Sequence, residues 1–222
     1  MALKVSVAIC TWNGERWIEE QLRSIVNQTR MVDEIILGDD RSSDRTVTIA
    51  QEILTQSGIP FCIIVNSENL GSRLNFQNVC ERCTGDVVFF ADQDDFWMPN
   101  KVERIVQIFD AKECVGWVFS DLELCGEDLS PSGRTMWAKV GFGRNRQKQF
   151  AKGNQLEVAL KRPMVTGAAL AVRRAYLQKA MPFQSPWIHD HWISILLPAQ
   201  GVMGEAVSDR LVRYRLHTEQ QV

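Results

Sequence analysis

Three carboxylates stand within four positions of this chain, at Asp92, Asp94 and Asp95. They directly follow residues 86–91, an apolar run that is typical of a buried strand. Because residues two apart in an extended chain point to the same side, Asp92 and Asp94 are expected to face one cleft. Converging carboxylates repel each other unless a cation lies between them, and oxygen ligands favour Mg²⁺ or Mn²⁺ bound to a phosphate. The alternative interpretation is an acidic turn that caps the helix beginning near Pro99.

A second pair of carboxylates, Asp39 and Asp40, closes the predicted strand at residues 34–38. A carboxylate there can accept hydrogen bonds from a ribose hydroxyl or from the imide N–H of uracil or thymine. Adjacent strand residues point in opposite directions, so only one of the two is expected to reach a ligand. The alternative is that both form a turn with residues 41–43. Trp12, just after the first predicted strand, either stacks on the base or is buried at the strand end.

These carboxylates depend on strands and helices that alternate along the chain. The predicted strands are residues 5–10, 34–38, 61–65, 86–91, 115–120 and 211–216. Apolar residues between the strands recur at helical spacing, as in the set Ile18, Leu22 and Ile25. This alternation predicts an α/β fold with a mostly parallel central sheet and right-handed crossovers. A single glycine, Gly14, follows the first strand, so the dinucleotide fingerprint of an NAD-dependent oxidoreductase is absent.

Length and composition fit one globular domain. The chain has 222 residues, of which 45% are hydrophobic, and its formal net charge of −2 gives no general attraction to nucleic acid. No apolar run approaches the roughly 18 residues that span a bilayer, and no signal-peptide pattern precedes the first strand. A soluble, cytoplasmic protein without a nucleic-acid partner is therefore expected.

The six cysteines are interpreted as packing residues. Cys80 and Cys83 form a C-x-x-C pair, but no second pair accompanies them, as a zinc site would require. Both lie at helical spacing from Phe76 and Val79, which places the four side chains on one apolar face. Buried thiols that act as small hydrophobic groups are therefore favoured over metal ligands.

Several motifs, in order along nearly the whole chain, resemble those of the inverting family 2 glycosyltransferases. They are residues 5–13, 36–42, 69–76, 92–99, 189–192 and 214–217. The resemblance implies a single GT-A domain, 1–222, with a Rossmann-like nucleotide-sugar-binding half, 1–99, and a smaller acceptor-binding half, 100–222. The form Asp-Gln-Asp-Asp-x-Trp-x-Pro is most similar to bacterial members that build surface polysaccharides, including rhamnosyltransferase-like enzymes.

The resemblance also implies which residues meet the sugar donor. The nucleotide-sugar-binding set that matches the family pattern is Thr11, Trp12, Asp39, Asp40, Arg73, Asp92 and Asp94. Asp92 would meet the ribose, and Asp94 would bind the Mg²⁺ or Mn²⁺ that bridges the two phosphates. Asp92, Asp95 and His217 are further metal-site candidates, Asp95 through water. The metal would stabilise the charge that develops on the departing nucleoside diphosphate.

Asp190 matches the catalytic base of the family. In any such transfer the acceptor hydroxyl must lose its proton while it attacks the anomeric carbon. A carboxylate at a helix start between His189 and His191 is expected to stay ionised near neutral pH. The alternative role is an ordinary N-cap. Two departures from the family are His189, where an acidic partner is common, and Arg41, where glycine is common.

The implied function is transfer of a sugar from a uridine- or thymidine-diphosphate sugar to an acceptor hydroxyl, in bacterial cell-surface polysaccharide synthesis. The acceptor would be a carbohydrate or a lipid-linked carbohydrate. One alternative is a sugar-phosphate nucleotidyltransferase, although the chain lacks the Gly-rich phosphate loop that such an enzyme uses. The other is a nucleotide-sugar-binding protein without catalysis, which the presence of Asp92, Asp94 and Asp190 disfavours.

Residues 134–162 are strongly basic. This segment has eight Lys and Arg against one acid, and these are interleaved with Met136, Trp137, Phe142 and Phe150. One interpretation is a mobile lid over the active site. The other is a surface that docks an anionic membrane or a lipid-diphosphate-linked acceptor, which would make the protein peripheral at the inner face of the membrane.

Overall fold

The computed structural model describes residues 2–218. In these residues nine strands belong to one sheet: β1 (Val5–Thr11), β2 (Glu34–Asp39), β3 (Phe61–Val65), β4 (Val87–Ala91), β5 (Phe96–Trp97), β6 (Val115–Cys125), β7 (Pro131–Thr135), β8 (Leu170–Arg173) and β9 (Met203–Arg215). The helices of the same residues are α1 (Ile18–Val26), α2 (Thr46–Ser57), α3 (Gly71–Cys80), α4 (Lys101–Ala111), α5 (Met136–Lys139), α6 (Arg144–Ala151), α7 (Gln155–Lys161), α8 (Arg174–Ala180) and α9 (His189–Ala199). A short 3₁₀ turn at Gly167–Ala169 precedes β8. The alternation of strands and helices confirms the predicted α/β class.

The sheet has a reversal of strand order beside β1. Its order is β3-β2-β1-β4-β8-β6-β9-β5, with β7 paired to β6. The four strands from β3 to β4 are parallel, while β8, β7 and β5 add antiparallel pairs. After β1 the chain builds β2 on one side and later β4 on the other. Open α/β sheets bind ligands in the crevice at the carboxyl ends of strands at such a switch point.

β4 is buried on both of its faces. Phe89 belongs to the apolar cluster on one side of the sheet and Phe90 to the cluster on the other. A strand covered by helices on both faces reads as a continuous apolar run, which is the pattern that predicted it. Burying each phenylalanine contributes about 2–3 kcal/mol. The turn that follows β4 therefore starts from a firmly held strand.

α1 packs on the sheet through the face that its spacing predicts. Ile18, Leu22 and Ile25 are all fully buried, while Glu19 and Arg23 are exposed and form an ion pair along the helix. The three apolar residues recur every three or four positions, so they form one stripe along the helix. This helix starts soon after β1, and its packing limits where the loop between them can run.

Residues 134–162 contain α5, α6 and α7, not a loose lid. The four apolar side chains of this segment are buried: Met136, Trp137, Phe142 and Phe150. Three of them contact the ring of Phe119 on β6, which anchors the segment to the sheet. The lid interpretation is therefore wrong, and these side chains are not available for insertion into a membrane. Seven of the eight basic side chains are exposed and could reach a membrane surface. Membrane contact through them stays a prediction.

All six thiols are free. Cys80, Cys83 and Cys125 are buried, which agrees with a packing role, and Cys10 is half-buried at the end of β1. The packing prediction is wrong for Cys62 and Cys114, which are exposed. Cys62 lies on the edge strand β3, and Cys114 lies in the turn after α4, where no element covers it.

β9 is longer than the strand predicted at residues 211–216. Its earlier part also pairs with β6, but exposed polar residues at 208–210 interrupt the apolar pattern. β5 pairs with β9, so residues from both proposed halves share one sheet. The division into 1–99 and 100–222 stays a prediction. None of the helices in residues 2–218 is long and apolar enough to cross a membrane.

Candidate active site

An open cleft lies at the carboxyl ends of β1 and β4, at the switch point of the sheet. Its volume is about 680 Å³, including its mouth. It is lined by Cys10, Thr11, Trp12, Asp40, Ser72, Asn75, Phe76, Asp92, Gln93, Asp94 and Tyr214. Five residues of the predicted nucleotide-sugar-binding set are among them: Thr11, Trp12, Asp40, Asp92 and Asp94. The cleft is thus enclosed by the ends of three parallel strands, by the first half of α3 and by the end of β9.

Asp40 is held by the loop that leads into α3. One carboxylate oxygen accepts hydrogen bonds from the Asn66 side chain (3.0 Å) and the Leu70 backbone N–H (2.7 Å). The other accepts from the backbone N–H of Gly71 at 2.8 Å. These donors fix the carboxylate at the cleft wall and leave lone pairs that a ligand N–H or O–H can still use.

Asp39 points away from the cleft and is fully buried. Its carboxylate accepts hydrogen bonds from the Thr11 hydroxyl (2.8 Å) and from the backbone and side chain of Ser42 (2.8 and 2.5 Å). Of the two, only Asp40 lines the cleft, and that it is the one to reach a ligand stays a prediction. Asp39 instead supports Thr11, which lines the cleft. Arg41, which follows Asp40 and precedes Ser42, has a backbone φ of +66°. This is the left-handed region that glycine adopts most easily.

Trp12 is positioned by Gln93, a residue to which the sequence analysis gave no role. The Gln93 side chain accepts a hydrogen bond from the Trp12 backbone N–H (2.8 Å) and donates one to its carbonyl oxygen (3.0 Å). The loop after β1 is thereby tied to the turn after β4. The indole ring of Trp12 is 39% exposed at the cleft, where it can stack on a flat ligand.

Asp92 and Asp94 both line the cleft, as their spacing predicts. Burial, reinforced by the Asp94 and Asp190 carboxylates, raises the pKa of Asp92 to about 7. A raised pKa means that the ionised group is disfavoured where it lies, and a bound cation would reverse this. The site is therefore electrostatically suited to a positively charged ligand.

Asp94, which lines the cleft, pairs with the buried side chain of His217. The Nε2 atom of His217 lies 2.8 Å from Oδ2 of Asp94, and its ring packs against Trp17. Adjacent ligands of an octahedral Mg²⁺, each about 2.1 Å from the ion, lie about 3 Å apart. The pair is at hydrogen-bond distance, so an ion bound by both side chains would replace the contact between them. No three His, Cys, Asp or Glu side chains within residues 2–218 converge as a complete metal cage, so further ligands would have to come from phosphate and water.

Asp95 does not line the cleft, contrary to its expected place beside a metal. It is fully buried, and its Oδ1 accepts a hydrogen bond from the Arg215 backbone N–H at 3.1 Å. The Arg215 guanidinium donates to the carbonyl oxygen of Asp94 (2.8 Å) and to the carboxylate of Glu20 (2.6 Å). These contacts fix the backbone of the turn at residues 92–95, in which Asp94 faces the cleft and Asp95 is buried.

Arg73 is another predicted residue that the structure does not bring to the cleft. Its guanidinium donates a hydrogen bond to the carbonyl oxygen of Phe183 at 2.6 Å. Ser72 and Asn75, its neighbours on α3, line the cleft instead. A helix turns by about 100° per residue, so one position decides which side chain faces the ligand.

Asp190 begins α9 and lies near the same carboxylates. Its Oδ2 accepts a hydrogen bond from the backbone N–H of Gly167 (2.8 Å), and its Oδ1 accepts one from His191 (2.6 Å). Burial raises the pKa of Asp190 to about 6, although both backbone donors lower it. A Cβ on residue 167 would lie 2.8 Å from Nε2 of His189, so this close approach needs glycine. The Asp190 charge raises the pKa of Asp92, so the two carboxyl groups interact electrostatically.

His189 contributes no charge beside this carboxyl. Burial lowers the pKa of His189 to about 3, so its imidazole is neutral near pH 7. The ring packs between Phe76 and Phe90, with centroid distances of 4.0 and 5.3 Å. This neutral aromatic neighbour keeps water from one side of Asp190, which agrees with the raised pKa of that group.

A protein-family comparison decides what kind of chain presents this cleft. Residues 6–180 match the model of the family described as Glycosyl transferase family 2. The match covers most of the chain and includes the strand ends that carry Asp40, Asp92 and Asp94. The chain belongs to glycosyl transferase family 2.

Curated relatives of this family 2 chain include bacterial glycosyltransferases. It is 35% identical over 114 residues to a dTDP-rhamnosyl transferase, RfbG of Shigella flexneri, covering 48% of this chain and 39% of the relative. It is 28% identical over 127 residues to the putative teichuronic acid biosynthesis glycosyltransferase TuaG of Bacillus subtilis, covering 57% and 50%. The matches thus span half or less of the length of these relatives.

Solved structures share the fold of this family 2 chain. S. aureus TarS in complex with UDP-GlcNAc superposes with a TM-score of 0.75 at 16% identity, covering 98% of this chain and 60% of TarS. The mannosyltransferase PcManGT of Pyrobaculum calidifontis, in complex with GDP-Man and Mn²⁺, gives a TM-score of 0.73 at 18% identity, covering 99% and 59%. The fold is therefore that of GT-A glycosyltransferases, as the resemblance implied.

Two cleft residues of the family 2 chain were without a role in the sequence analysis. Gln93 stands between two aspartates in the turn after β4, and its contacts with the Trp12 backbone appear only in the folded structure. Tyr214 lines the cleft from β9, and burial together with the Asp95 and Asp92 carboxylates raises the pKa of its phenol. The sequence shows that Tyr214 belongs to the motif at residues 214–217. Only the pairing of β9 with β5 and β6 brings this side chain to the cleft that Asp92 lines.

Proposed function

We propose that this chain is an inverting glycosyltransferase that moves a sugar from a uridine- or thymidine-diphosphate sugar to an acceptor hydroxyl. The observation that carries the proposal is that Asp190 lies beside the cleft that Asp92 and Asp94 line, although about 100 residues separate them in sequence: its charge raises the pKa of Asp92, and the ring of its neighbour His189 packs on Phe76 of the cleft wall. The first group suits proton removal, and the other two suit a donor diphosphate with its cation. The similarity to a dTDP-rhamnosyl transferase and to a putative teichuronic acid biosynthesis glycosyltransferase supports cell-surface polysaccharide synthesis as the setting.

The nucleoside would lie along the β1 and β2 side of the cleft. Trp12 offers an exposed ring for stacking, and Asp40 offers a fixed carboxylate as hydrogen-bond acceptor. Thr11 lines the wall between them and is held by Asp39. An imide N–H of uracil or thymine would match the acceptor at Asp40, which supports a UDP- or dTDP-sugar as donor.

Mg²⁺ or Mn²⁺ fits the residues on the β4 side. Asp94, His217 and the cleft-facing Asp92 offer oxygen and nitrogen donors, and the side chains of Asp94 and His217 are in direct contact. When bound, the ion would supply the positive charge that stabilises a departing nucleoside diphosphate. Asp95 is not proposed as a ligand, since its carboxyl is directed to Arg215.

Asp190 would act as the base. With a pKa of about 6 it is mostly ionised at neutral pH, yet basic enough to accept a proton from an acceptor hydroxyl. Backbone N–H groups of Gly167 and His191 hold the carboxylate in place and leave a lone pair on each oxygen. The oxygen of the acceptor would attack the anomeric carbon while its proton passes to Asp190. A carbohydrate or lipid-linked carbohydrate would be the acceptor, and the reaction would take place in the cytoplasm.

Release of nucleoside diphosphate from a panel of sugar nucleotides, with and without Mn²⁺, tests this function. The wild-type protein should release diphosphate from a UDP- or dTDP-sugar and do so faster with Mn²⁺. We expect Asp94→Ala to abolish the Mn²⁺-dependent part. Asp110→Ala, an exposed acid on α4, is the matched control and should behave as wild type. Mn²⁺-dependent release that survives in Asp94→Ala would refute the assignment, and release of pyrophosphate instead would indicate a nucleotidyltransferase.

A further inference from the structure

The side-chain amide of Gln93 joins the turn at residues 92–95 to the loop after β1. It accepts a hydrogen bond from the Trp12 backbone N–H (2.8 Å) and donates one to the Trp12 carbonyl oxygen (3.0 Å). Within residues 2–218 no other hydrogen bond connects residues 12–15 with residues 92–95. The loop that carries the exposed indole ring is therefore linked to the turn that carries Asp92 and Asp94 through this one amide.

The next N–H groups of the loop are held from the opposite side, by the segment after β2. Asn13 donates to the hydroxyl of Ser42 and Gly14 to the hydroxyl of Thr46, both at 2.8 Å. Asn13 has a φ of +47°, in the left-handed region that residues other than glycine seldom adopt. The conformation of this loop thus depends on side chains from the β2 side and, on the β4 side, on Gln93.

Gly14 makes room for the Gln93 amide. A Cβ on residue 14 would lie 2.2 Å from Oε1 of Gln93, and the next two atoms that it would meet belong to the same side chain. The φ of Gly14 is not in the left-handed region, so its backbone conformation does not require glycine. The close approach of Gln93 is what requires it.

We propose that Gln93 is a positioning residue of the donor site, which acts on the nucleoside through Trp12; this rests on the proposed function. Its bonds are made with the Trp12 backbone, so they set where the indole ring lies without occupying the ring itself. A ring that is already held in place loses less freedom when a base stacks on it. Since Gln93 stands between Asp92 and Asp94, it keeps this ring in register with the residues proposed for the diphosphate and its cation.

Hydrogen exchange of the ligand-free protein tests the link itself. Gln93→Leu removes both hydrogen bonds and keeps a side chain of similar size. The Trp12 amide should then exchange faster, on the order of tenfold, while the Gly14 amide stays protected by Thr46. Gln51→Leu, an exposed glutamine on α2, is the matched control and should change neither amide. Unchanged exchange of the Trp12 amide in Gln93→Leu would overturn the link.

A double-mutant cycle with Trp12→Ala tests whether Gln93 acts through the ring. The probe is UDP or dTDP, whichever the wild-type protein binds more tightly, measured by calorimetry with Mn²⁺. Trp12→Ala keeps the backbone groups that Gln93 binds and should weaken nucleotide binding about tenfold, as the loss of a stacked aromatic ring does. Gln93→Leu should weaken binding several-fold in the wild-type background and add nothing to Trp12→Ala. Losses that multiply in the double variant would contradict the proposal.

Gly14→Ala displaces the Gln93 amide without removing it, so it is an independent variant. We expect it to weaken nucleotide binding as Gln93→Leu does, and to have no further effect in Gln93→Ala, where the space is free. Gly143→Ala is the matched control, because a Cβ there meets open space and the φ is −78°. Nucleotide binding by Gly14→Ala at the wild-type affinity would count against the proposal.

Titration with Mn²⁺ alone separates a positioning residue from one that merely supports the turn. Gln93→Leu should bind Mn²⁺ as wild type does, because Asp92 and Asp94 are unchanged. Equal losses of Mn²⁺ and nucleotide affinity would show a structural role and overturn the proposal. If wild type binds neither nucleotide, the proposed function fails and the positioning role with it. If wild type binds one and Gln93→Leu binds it equally well, the positioning role alone is wrong.

Discussion

Asp92 and Asp190 are carboxyls whose pKa values are raised by different surroundings. At Asp92 burial acts together with two neighbouring carboxylates, Asp94 and Asp190. At Asp190 burial acts against two backbone N–H donors that favour the ionised form. The surroundings of Asp92 would be stabilised by a bound cation. The surroundings of Asp190 leave its carboxylate ionised and still basic near neutral pH. These separate environments suit the separate roles that we propose for them.

The pKa of Asp190 leads to a pH dependence of transfer. A base acts only when deprotonated, so lowering the pH through about 6 should remove the active form. Below this value the rate should fall about tenfold per pH unit. Initial rates of nucleoside diphosphate release between about pH 8 and pH 4.5, at saturating donor, measure this. Calorimetry of donor binding at each pH is the control, since Asp92 also titrates in this range. A flat profile would contradict the assigned base.

The loop from Asn66 to Gly71 is the element that places Asp40. Three of its groups donate to the Asp40 carboxylate, and Asn69 donates to the Asp40 carbonyl oxygen. Asn75 on α3 extends the network to the carbonyl oxygen of Gly38 on β2. The β2 side of the cleft is therefore built by a loop around one carboxylate, not by a glycine-rich phosphate loop.

Replacing Asp40 by asparagine should destabilise the protein. Asparagine retains one acceptor oxygen, so its NH₂ group would face the N–H of Gly71 in place of Oδ2. An unsatisfied buried donor costs about 1–3 kcal/mol of unfolding free energy. Thermal or urea denaturation of Asp40→Asn measures the loss. Asp209→Asn, which removes half of an exposed ion pair with Arg104, is the control and should change stability little. Equal stability of both variants would show that the loop does not depend on the carboxylate.

Strand alternation explains which site residues could be predicted from the sequence. The run that forms β4 and the spacing of Asp92 and Asp94 suffice to place both in one cleft. The same rule predicts that one of Asp39 and Asp40 faces the ligand, but not which one. That choice depends on Ser42 and on the loop at residues 66–71, which contact these carboxylates only after the strands pair.

Other positions depend on tertiary contacts that no local pattern encodes. Arg73 follows a family motif, but the carbonyl oxygen of Phe183, far away in sequence, takes its guanidinium. Lys101 looks like an ordinary basic residue at a helix start and proves to be fully buried. The aromatic residues among the charges of 134–162 predict an interaction surface, whereas the fold uses them as anchors on Phe119.

At the scale of the whole molecule, one sheet connects the parallel strands β1–β4 to a second, mixed region, where α9 carries Asp190. β9 completes this connection, because Tyr214 and His217 reach Asp92 and Asp94 from the far end of the chain. The basic side chains of residues 134–162 lie on the surface of the second region. Such a surface suits an anionic acceptor or membrane headgroups.

Sedimentation with anionic vesicles at low salt tests membrane contact by these basic side chains. We expect binding that weakens with salt and with Arg144→Glu/Lys148→Glu, a change of two exposed residues on α6. Each basic side chain near such a surface contributes about 1 kcal/mol. Lys179→Glu, exposed on α8, is the control outside the segment. No binding of the wild-type protein at low salt would eliminate membrane contact through this segment.

The most direct test of the central claim is nucleoside diphosphate release by wild type and Asp190→Asn, with a bound sugar nucleotide and water as the simplest acceptor. Calorimetry of donor binding to both proteins shows whether the cleft itself is intact. We expect Asp190→Asn to bind the donor as wild type does and to lose turnover by about 10²- to 10⁴-fold, the contribution of a positioned base. Turnover at the wild-type rate in Asp190→Asn would show that another group removes the proton and would contradict the proposed mechanism.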